Sequence, residues 1–407
     1  MQTHLADFIK DTPEGREAGE ILGNCVHCGF CNATCPTYRL LGDELDAPRG
    51  RIYLLKMMLE GQEISARTQR HLDRCLGCRA CETTCPSGVE YGKLADFGRG
   101  IIEQKVGRPW RDRLQRLALR KLMAYPRRFG ALLALARLAR PLLPAALKAK
   151  IPARPPRPAP PPQRRHARKM LILDGCVQPA LAPNIDAATA RVLDKLGIGL
   201  VRAEGGGCCG ALSYHLAAHE EGRDFMRRNI DAWWPHIERG AEAIVMNASG
   251  CGAMAKEYGH ALRHDPAYAD KAARVAELAR DIGEILARED LSALRIEPPR
   301  KIAFQSPCTL QHGQKLNGLV EGLLEQLGFE LVPVADPQLC CGAAGTYSIL
   351  QAELSDQLLA NKVRALEAGE PEFIATANIG CLMHIQTKAG VPARHWIELL
   401  DSRESGF

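Results

Sequence analysis

The chain has 407 residues, 46% apolar and 25% charged, the balance of an ordinary globular protein with room for two or three domains. Its sixteen cysteines follow a polar opening, MQTHLADFIKDTPEGREAGE, which argues against a secreted disulfide framework and for metal binding in a reducing compartment. No window reaches the roughly 18 uninterrupted apolar residues of a transmembrane helix, and the net charge of +6 hides a basic band: residues 108–169 hold eighteen Lys or Arg and one acid, Asp112.

Residues 1–107 are read as a cluster-binding domain. Cys25-x2-Cys28-x2-Cys31-x3-Cys35-Pro36 returns fifty residues later as Cys75-x2-Cys78-x2-Cys81-x3-Cys85-Pro86. Each is a bacterial ferredoxin run, in which three thiolates grip one 4Fe-4S cluster and the fourth reaches the other. The crossed pattern assigns Cys25, Cys28, Cys31 and Cys85 to cluster 1, and Cys75, Cys78, Cys81 and Cys35 to cluster 2. Structural zinc is the competing reading. It fits poorly, because zinc sites take two Cys pairs per ion and each run here adds a third Cys and a Cys-Pro. Between the runs, LDAPRGRIYLLKMMLE predicts a helix with Ile52, Leu55, Met58 and Leu59 on one face. Helical sequence before and after the second run points to an α-helical ferredoxin in place of the small β type. Tyr38, Tyr53 and Tyr91 are read as packing aromatics beside the clusters.

Residues 108–150 predict basic amphipathic helices, with Trp110, Leu114, Leu117 and Leu122 at helical spacing. The apolar run from Phe129 is interrupted by Arg137, Arg140, Pro141 and Pro144, so it does not span a bilayer. An apolar and cationic surface of this kind suits anionic lipid or a partner subunit, against the plainer reading of a solvated helix on its own domain. Nucleic acid ranks last, for want of an aromatic platform. Residues 151–169 read as a Pro/Arg-rich linker that sets two domains apart.

Residues 170–290 and 300–400 are two copies of one unit. KMLILDGCV and KIAFQSPCT open them as apolar strands that end at Cys176 and Cys308. Thirty-two residues later come Cys208-Cys209-Gly210 and Cys340-Cys341-Gly342, and the last strands end at Cys251 and Cys381. Three strands alternating with helices in each copy predict parallel α/β units with cysteines gathered at the carboxyl edge. The sets Cys176, Cys208, Cys209, Cys251 and Cys308, Cys340, Cys341, Cys381 are candidate sites for one or two further iron-sulfur clusters, against the plainer reading of buried thiols. His384, His215, His219 and His312 are weighed as ligands and read as ordinary polar residues. Gly205-x-Gly207-x-x-Gly210 matches the dinucleotide fingerprint, but the second copy has Ala335-Asp-Pro-Gln-Leu339 in place of the first two glycines, so no nucleotide site is expected.

Together NCVHCGFCNATCPTY, RCLGCRACETTCPSGVEYG and the two Cys-Cys-Gly sites make the whole chain resemble the iron-sulfur subunits of bacterial glycolate dehydrogenase (glycolate oxidase). Relatives in the wider group include subunits of anaerobic glycerol-3-phosphate dehydrogenase, lactate-utilisation proteins and heterodisulfide reductase. The resemblance implies an oxidoreductase complex. Partner subunits with FAD would turn glycolate into glyoxylate, and this chain would pass the electrons to a membrane quinone from the cytoplasmic side of the inner membrane, as a peripheral subunit with no catalytic residue of its own. It also implies a departure. Disulfide-reducing relatives end each site in CxxC, whereas Met254 and His384 stand at those fifth-thiolate positions here. A catalytic reductase and an assembly subunit remain the alternatives.

Overall fold

The computed structural model describes residues 1–144, 148, 151–162, 164–294 and 300–401. Helices carry the first domain. In α1 (Pro13–Asn24) the Thr12 hydroxyl accepts from the Gly15 amide and Pro13 presets the first turn, while Ala18, Ile21 and Leu22 are buried. The expected stripe of Ile52, Leu55, Met58 and Leu59 is buried on α2 (Pro48–Leu59). Its N-cap is Ala47, and Asp46 is buried beneath the helix. Helices α3 (Ala66–Asp73) and α4 (Tyr91–Val106) bracket the second run. Among the described residues this domain has no strand, as an α-helical ferredoxin requires.

The two cysteine runs turn in the same way. Residues two and four places after the first Cys are left-handed in both: His27 (φ 57°) and Gly29 (φ 87°), then Gly77 (φ 64°) and Arg79 (φ 62°). This tight double turn brings three sulfurs to one side of the loop. Arg79 adopts a conformation that disfavours side chains, and it is held there by Glu82 and by Glu257 of the first repeat.

Helices α5 (Trp110–Met123) and α6 (Pro126–Ala139) follow, joined by a short turn at Ala124 and Tyr125. The rest of the basic stretch, residues 145–147 and 149–150, lies outside the described residues. Among its described residues the proline-rich segment has no regular structure before Arg168, as expected, yet it does not hold the domains apart. Arg137 donates to the Pro152 and Ala153 carbonyls, Arg191 donates to Ala159 O, and His166 pairs with Asp194. The linker is a strap along the surface, and the domains touch directly.

Each repeat is a parallel sheet. The first contains β1 (Arg168–Ile172), α7 (Asn184–Lys195), β2 (Ile198–Arg202), α8 (His219–Ile237), β3 (Ile244–Met246), α9 (Ser249–Lys256) and β4 (Ala279–Asp281), with strand order β2-β1-β3-β4. The second repeats this as β5 (Arg300–Gln305), α10 (Leu319–Gln326), β6 (Phe329–Leu331), α11 (Ala352–Glu367), β7 (Phe373–Thr376), α12 (Ile379–Ile385) and β8 (Ala393–His395), ordered β6-β5-β7-β8. Each sheet therefore has four strands where the sequence suggests three. The extra strands, Ala-Arg-Asp and Ala-Arg-His, are too short to show a pattern. Residues of both repeats share one core that includes Val192, Ile302 and Trp396, and a buried Arg191–Asp401 ion pair crosses between them.

His395 sits in that seam with no exposed surface, and burial holds its imidazole down to about 3. The unfolded chain binds this proton near pH 6.5 and the folded chain does not, so the contribution of His395 is intact above 6.5 and is lost as pH falls toward 3. At pH 4 the loss amounts to roughly 3 kcal/mol. Denaturant titrations of wild type and His395→Gln from pH 7 to 4 are expected to show a smaller acid loss in the variant.

Candidate iron-sulfur relay

The runs close two thiol sets, and they do so crosswise. Burial pushes the Cys31 thiol up to about 11, and the charges it feels next are those of Cys25, Cys85 and Cys28. Cys78 and Cys81 are likewise pushed up by burial, and the ferredoxin thiols they feel include Cys75 and Cys35. Cys85 therefore lies with the first run and Cys35 with the second. Both sets offer four soft sulfurs in a compact group, the donor chemistry that a 4Fe-4S cube needs. The first set reaches the surface at exposed Cys28, beside Val26 (68% exposed) and Phe30 (64%); the second is enclosed.

Around the second set the structure adds groups that sequence reasoning missed. Arg51, 1% exposed, donates from Nε to His71 O (2.8 Å), from Nη1 to Thr37 Oγ1 (3.1 Å), and lies 3.9 Å from the Cys35 sulfur. Its Nη2 meets Asp46, which also pairs with Arg74 and His71. Arg99 Nη2 donates to Cys75 O at 2.6 Å. Burial alone would raise the Cys75 thiol, but Arg51 and then Arg99 outweigh it and hold it below the ordinary value. Tyr91 is buried near Cys75, whereas Tyr53 is largely exposed. The one signal in the sequence was an arginine at position 51 directly beside the apolar stripe that starts at Ile52.

Each repeat also gathers its four cysteines. Cys176 and Cys308 lie in loops after β1 and β5, but Cys251 and Cys381 lie in the first turns of α9 and α12, one step beyond the strand ends where the sequence places them. In the second repeat Cys308 and Cys340 sulfurs are 3.8 Å apart, and those of Cys341 and Cys381 are 3.3 Å apart. In the first, Cys208 is held well below the ordinary thiol value, because it accepts from Cys176 and then from Cys209. The glycine after each doublet has a steric reason. Gly210 (φ 90°) and Gly342 (φ 89°) are left-handed, and a Cβ would stand 2.6 Å from Gly222 O and 2.7 Å from Ser355 O. The glycine lets the doublet press against the following helix.

The histidines are engaged elsewhere. His384 Nε2 meets Ser355 Oγ at 3.0 Å, and His215 pairs with Asp96 at 3.1 Å. His312 bonds both Thr83 and Gln338 O, and His219 packs on Tyr214. Met254, at the other fifth-thiolate position, is buried in the core.

A single cavity of about 780 Å³ joins these parts. Its walls include Cys35, Cys75, Cys78 and Cys81 of the ferredoxin domain and all eight cysteines of the repeats. The two repeats meet beside it, where Asn378 Nδ2 bonds Ser249 Oγ at 3.1 Å. The ferredoxin domain is clamped over it on both sides: Glu17 binds His260 and Arg263 of the first repeat, and Arg39 binds Asp336 of the second. The second ferredoxin run and the second repeat meet at Thr83 Oγ1 and His312 Nδ1, 3.0 Å apart, and Cys78 and Cys308 wall the same cavity.

This arrangement has relatives. A 4Fe-4S dicluster domain matches residues 21–89, and a cysteine-rich domain matches residues 170–256 and again 302–386. The chain is 55% identical over 401 residues, 98% of each protein, to the glycolate oxidase iron-sulfur subunit of Escherichia coli (strain K12). The chain belongs to that family of iron-sulfur subunits. A probable glycolate oxidase iron-sulfur subunit of Bacillus subtilis (strain 168) is 32% identical over 96% of this chain and 93% of its own length. Lactate utilization protein A of Bacillus licheniformis is 30% identical over 248 residues, 58% of this chain and 100% of that protein. Members of the family are components of an oxidoreductase complex. The dicluster domain implies two 4Fe-4S clusters, and the crossed thiol sets fit them.

Proposed function

We propose that this chain is the electron-transferring subunit of a glycolate-oxidising complex, carrying electrons from a partner's reduced flavin to a membrane quinone. Cys25, Cys28, Cys31 and Cys85 hold cluster 1, and Cys75, Cys78, Cys81 and Cys35 hold cluster 2. Bound clusters supply one-electron steps, which split the two electrons of a flavin. The cysteine sets of the repeats are candidate stations beyond them. The carrying observation is the succession of thiol sets: exposed Cys28 at one surface, then the second set, which walls the same cavity as Cys308 and Cys340 of the second repeat. The apolar skin of Val26, Phe30 and Tyr53 around Cys28 suits a flavoprotein that must bring its donor close. No helix among the described residues is long and apolar enough to cross a membrane, so contact with the bilayer is peripheral in this reading.

The test uses the anaerobic complex and the chain purified without its partners. Glycolate should reduce the clusters of the complex, seen by electron paramagnetic resonance, and leave those of the chain alone oxidised. About eight irons per chain correspond to two cubanes, and about twelve or sixteen would load the repeats. Glycolate-dependent dye reduction by the chain alone would move the chemistry into the repeats and overturn this proposal.

A further inference from the structure

Helices α5 and α6 leave apolar side chains in water. Trp110, Leu114 and Leu117 share one face of α5, and Leu132, Leu135 and Leu138 share one face of α6, continued by Leu142. Leu135, Leu138 and Leu142 are 64%, 77% and 89% exposed. Such a stripe costs free energy until something apolar covers it, at roughly 25 cal/mol per Å². Exposed Arg111, Arg113, Arg127 and Arg140 border it and make no ion pair among the described residues, while Arg137 is turned onto the linker carbonyls. Leucines flanked by uncompensated cations match a surface that is anionic outside and apolar within, the headgroup boundary of a bilayer.

The turn of the same pair packs on the first repeat's cysteine site. At the α5–α6 turn, Ala124 and Tyr125 pack with Phe225, Cys208 and Cys176. Tyr125 and Phe225 meet edge to face at 5.4 Å, and Lys121 pairs with Glu221 at 2.8 Å. Met123 and Arg116 of α5 wall the cavity that holds Cys176 and Cys208. The second repeat has a different neighbour: His312, just past Cys308, meets Thr83 of the second ferredoxin run at 3.0 Å, and Tyr347 Oη donates to Arg74 O at 3.1 Å.

We propose that α5 and α6 lie flat on an anionic bilayer and that the first repeat's cysteine site, packed against their turn, is where electrons leave the chain for a lipid-borne quinone. The inference rests on the electron-transfer reading above. Two electrons from the partner's flavin, arriving singly, and two protons from water turn quinone into quinol, with no bond to the protein formed.

The complex is mixed with phosphatidylglycerol/phosphatidylcholine vesicles containing decylubiquinone. Wild type should float with these and not with pure phosphatidylcholine, and Leu135→Glu/Leu138→Glu should bind on the order of a hundredfold more weakly. Equal flotation of the variant, or loss of its flavin subunits in place of vesicles, overturns the docking. For the exit, clusters reduced with dithionite are followed by paramagnetic resonance after mixing with the quinone vesicles. Wild type should reoxidise and Cys208→Ala should not; equal reoxidation by Cys208→Ala overturns the exit. Because Cys208→Ala is buried, an azidoquinone photolabel on wild type gives a second reading. Label in residues 116–125, 176–181 or 208–219 supports the site, and label confined to 308–345 overturns it. If wild-type clusters fail to reoxidise at all, the electron-transfer reading itself falls.

Discussion

Cys85→Ala is expected to remove the cluster held by the first cysteine run and spare the one held by the run in which Cys85 stands. The basis is the crossed geometry: Cys31 feels Cys25, Cys85 and Cys28, while Cys78 and Cys81 feel Cys75 and Cys35. Alanine leaves a cubane with three thiolates, and at the exposed edge beside Cys28 water replaces the fourth poorly. Iron should fall by about four atoms per chain. The surviving resonance should be the one less relaxed by an aqueous paramagnetic ion, because cluster 2 is enclosed. Cys35→Ala should give the reverse: loss of the shielded signal and survival of the accessible one. A shielded signal that disappears in Cys85→Ala would mean that each run binds its own four-cysteine cluster.

The crossed assignment was read from the sequence because the repeated Cys-x2-Cys-x2-Cys-x3-Cys-Pro run is the spacing of two-cluster ferredoxins. In such a run the x2 spacing lets one short loop present three sulfurs to a cube, and the fourth Cys, before the proline, reaches the other cluster. The stripe Ile52, Leu55, Met58 and Leu59 was legible for a similar reason, since a helix buried on one side repeats with its own period. The duplication placed the four-cysteine sets of the repeats, though not the helical turns that carry Cys251 and Cys381. Strands β4 and β8 were invisible, being three residues long with an arginine in the middle of each. The linker's extended form followed from its prolines, but its attachment did not. Carbonyls of Pro152, Ala153 and Ala159 are held by arginines from distant helices, and no local pattern announces such partners. The network of Asp46, Arg51, His71, Arg74 and Arg99 was hidden for the same reason: five residues from four segments, brought together only by folding.

That network carries the second large effect. A 4Fe-4S cluster gains negative charge on reduction, and an enclosed site penalises it, so burial by itself lowers the potential of cluster 2. Arg51 opposes this with a fixed positive charge 3.9 Å from the Cys35 sulfur. The charge is held there by Asp46, Thr37 and His71 O, and Arg99 adds another at Cys75. For charges roughly 6 Å apart at an effective dielectric of about 20, the attraction is about 3 kcal/mol, and about 1.4 kcal/mol moves a one-electron couple by 59 mV. Arg51→Gln is therefore expected to lower the potential of cluster 2 by on the order of 100 mV. The potential of cluster 1 should hardly move, because its exposed thiol set lies away from Arg51. Arg51→Lys keeps the charge without the forked hydrogen bonds, so it should recover most of the potential while losing stability. The measurement is a redox titration of both resonances in the two variants, with iron content checked first. If Arg51→Gln keeps both clusters at wild-type potentials, Arg51 is only a structural bolt between α2 and the second run. If the potential falls in Arg51→Gln and returns in Arg51→Lys, the buried guanidinium keeps the enclosed cluster reducible, and electrons can cross from the exposed set to the repeats.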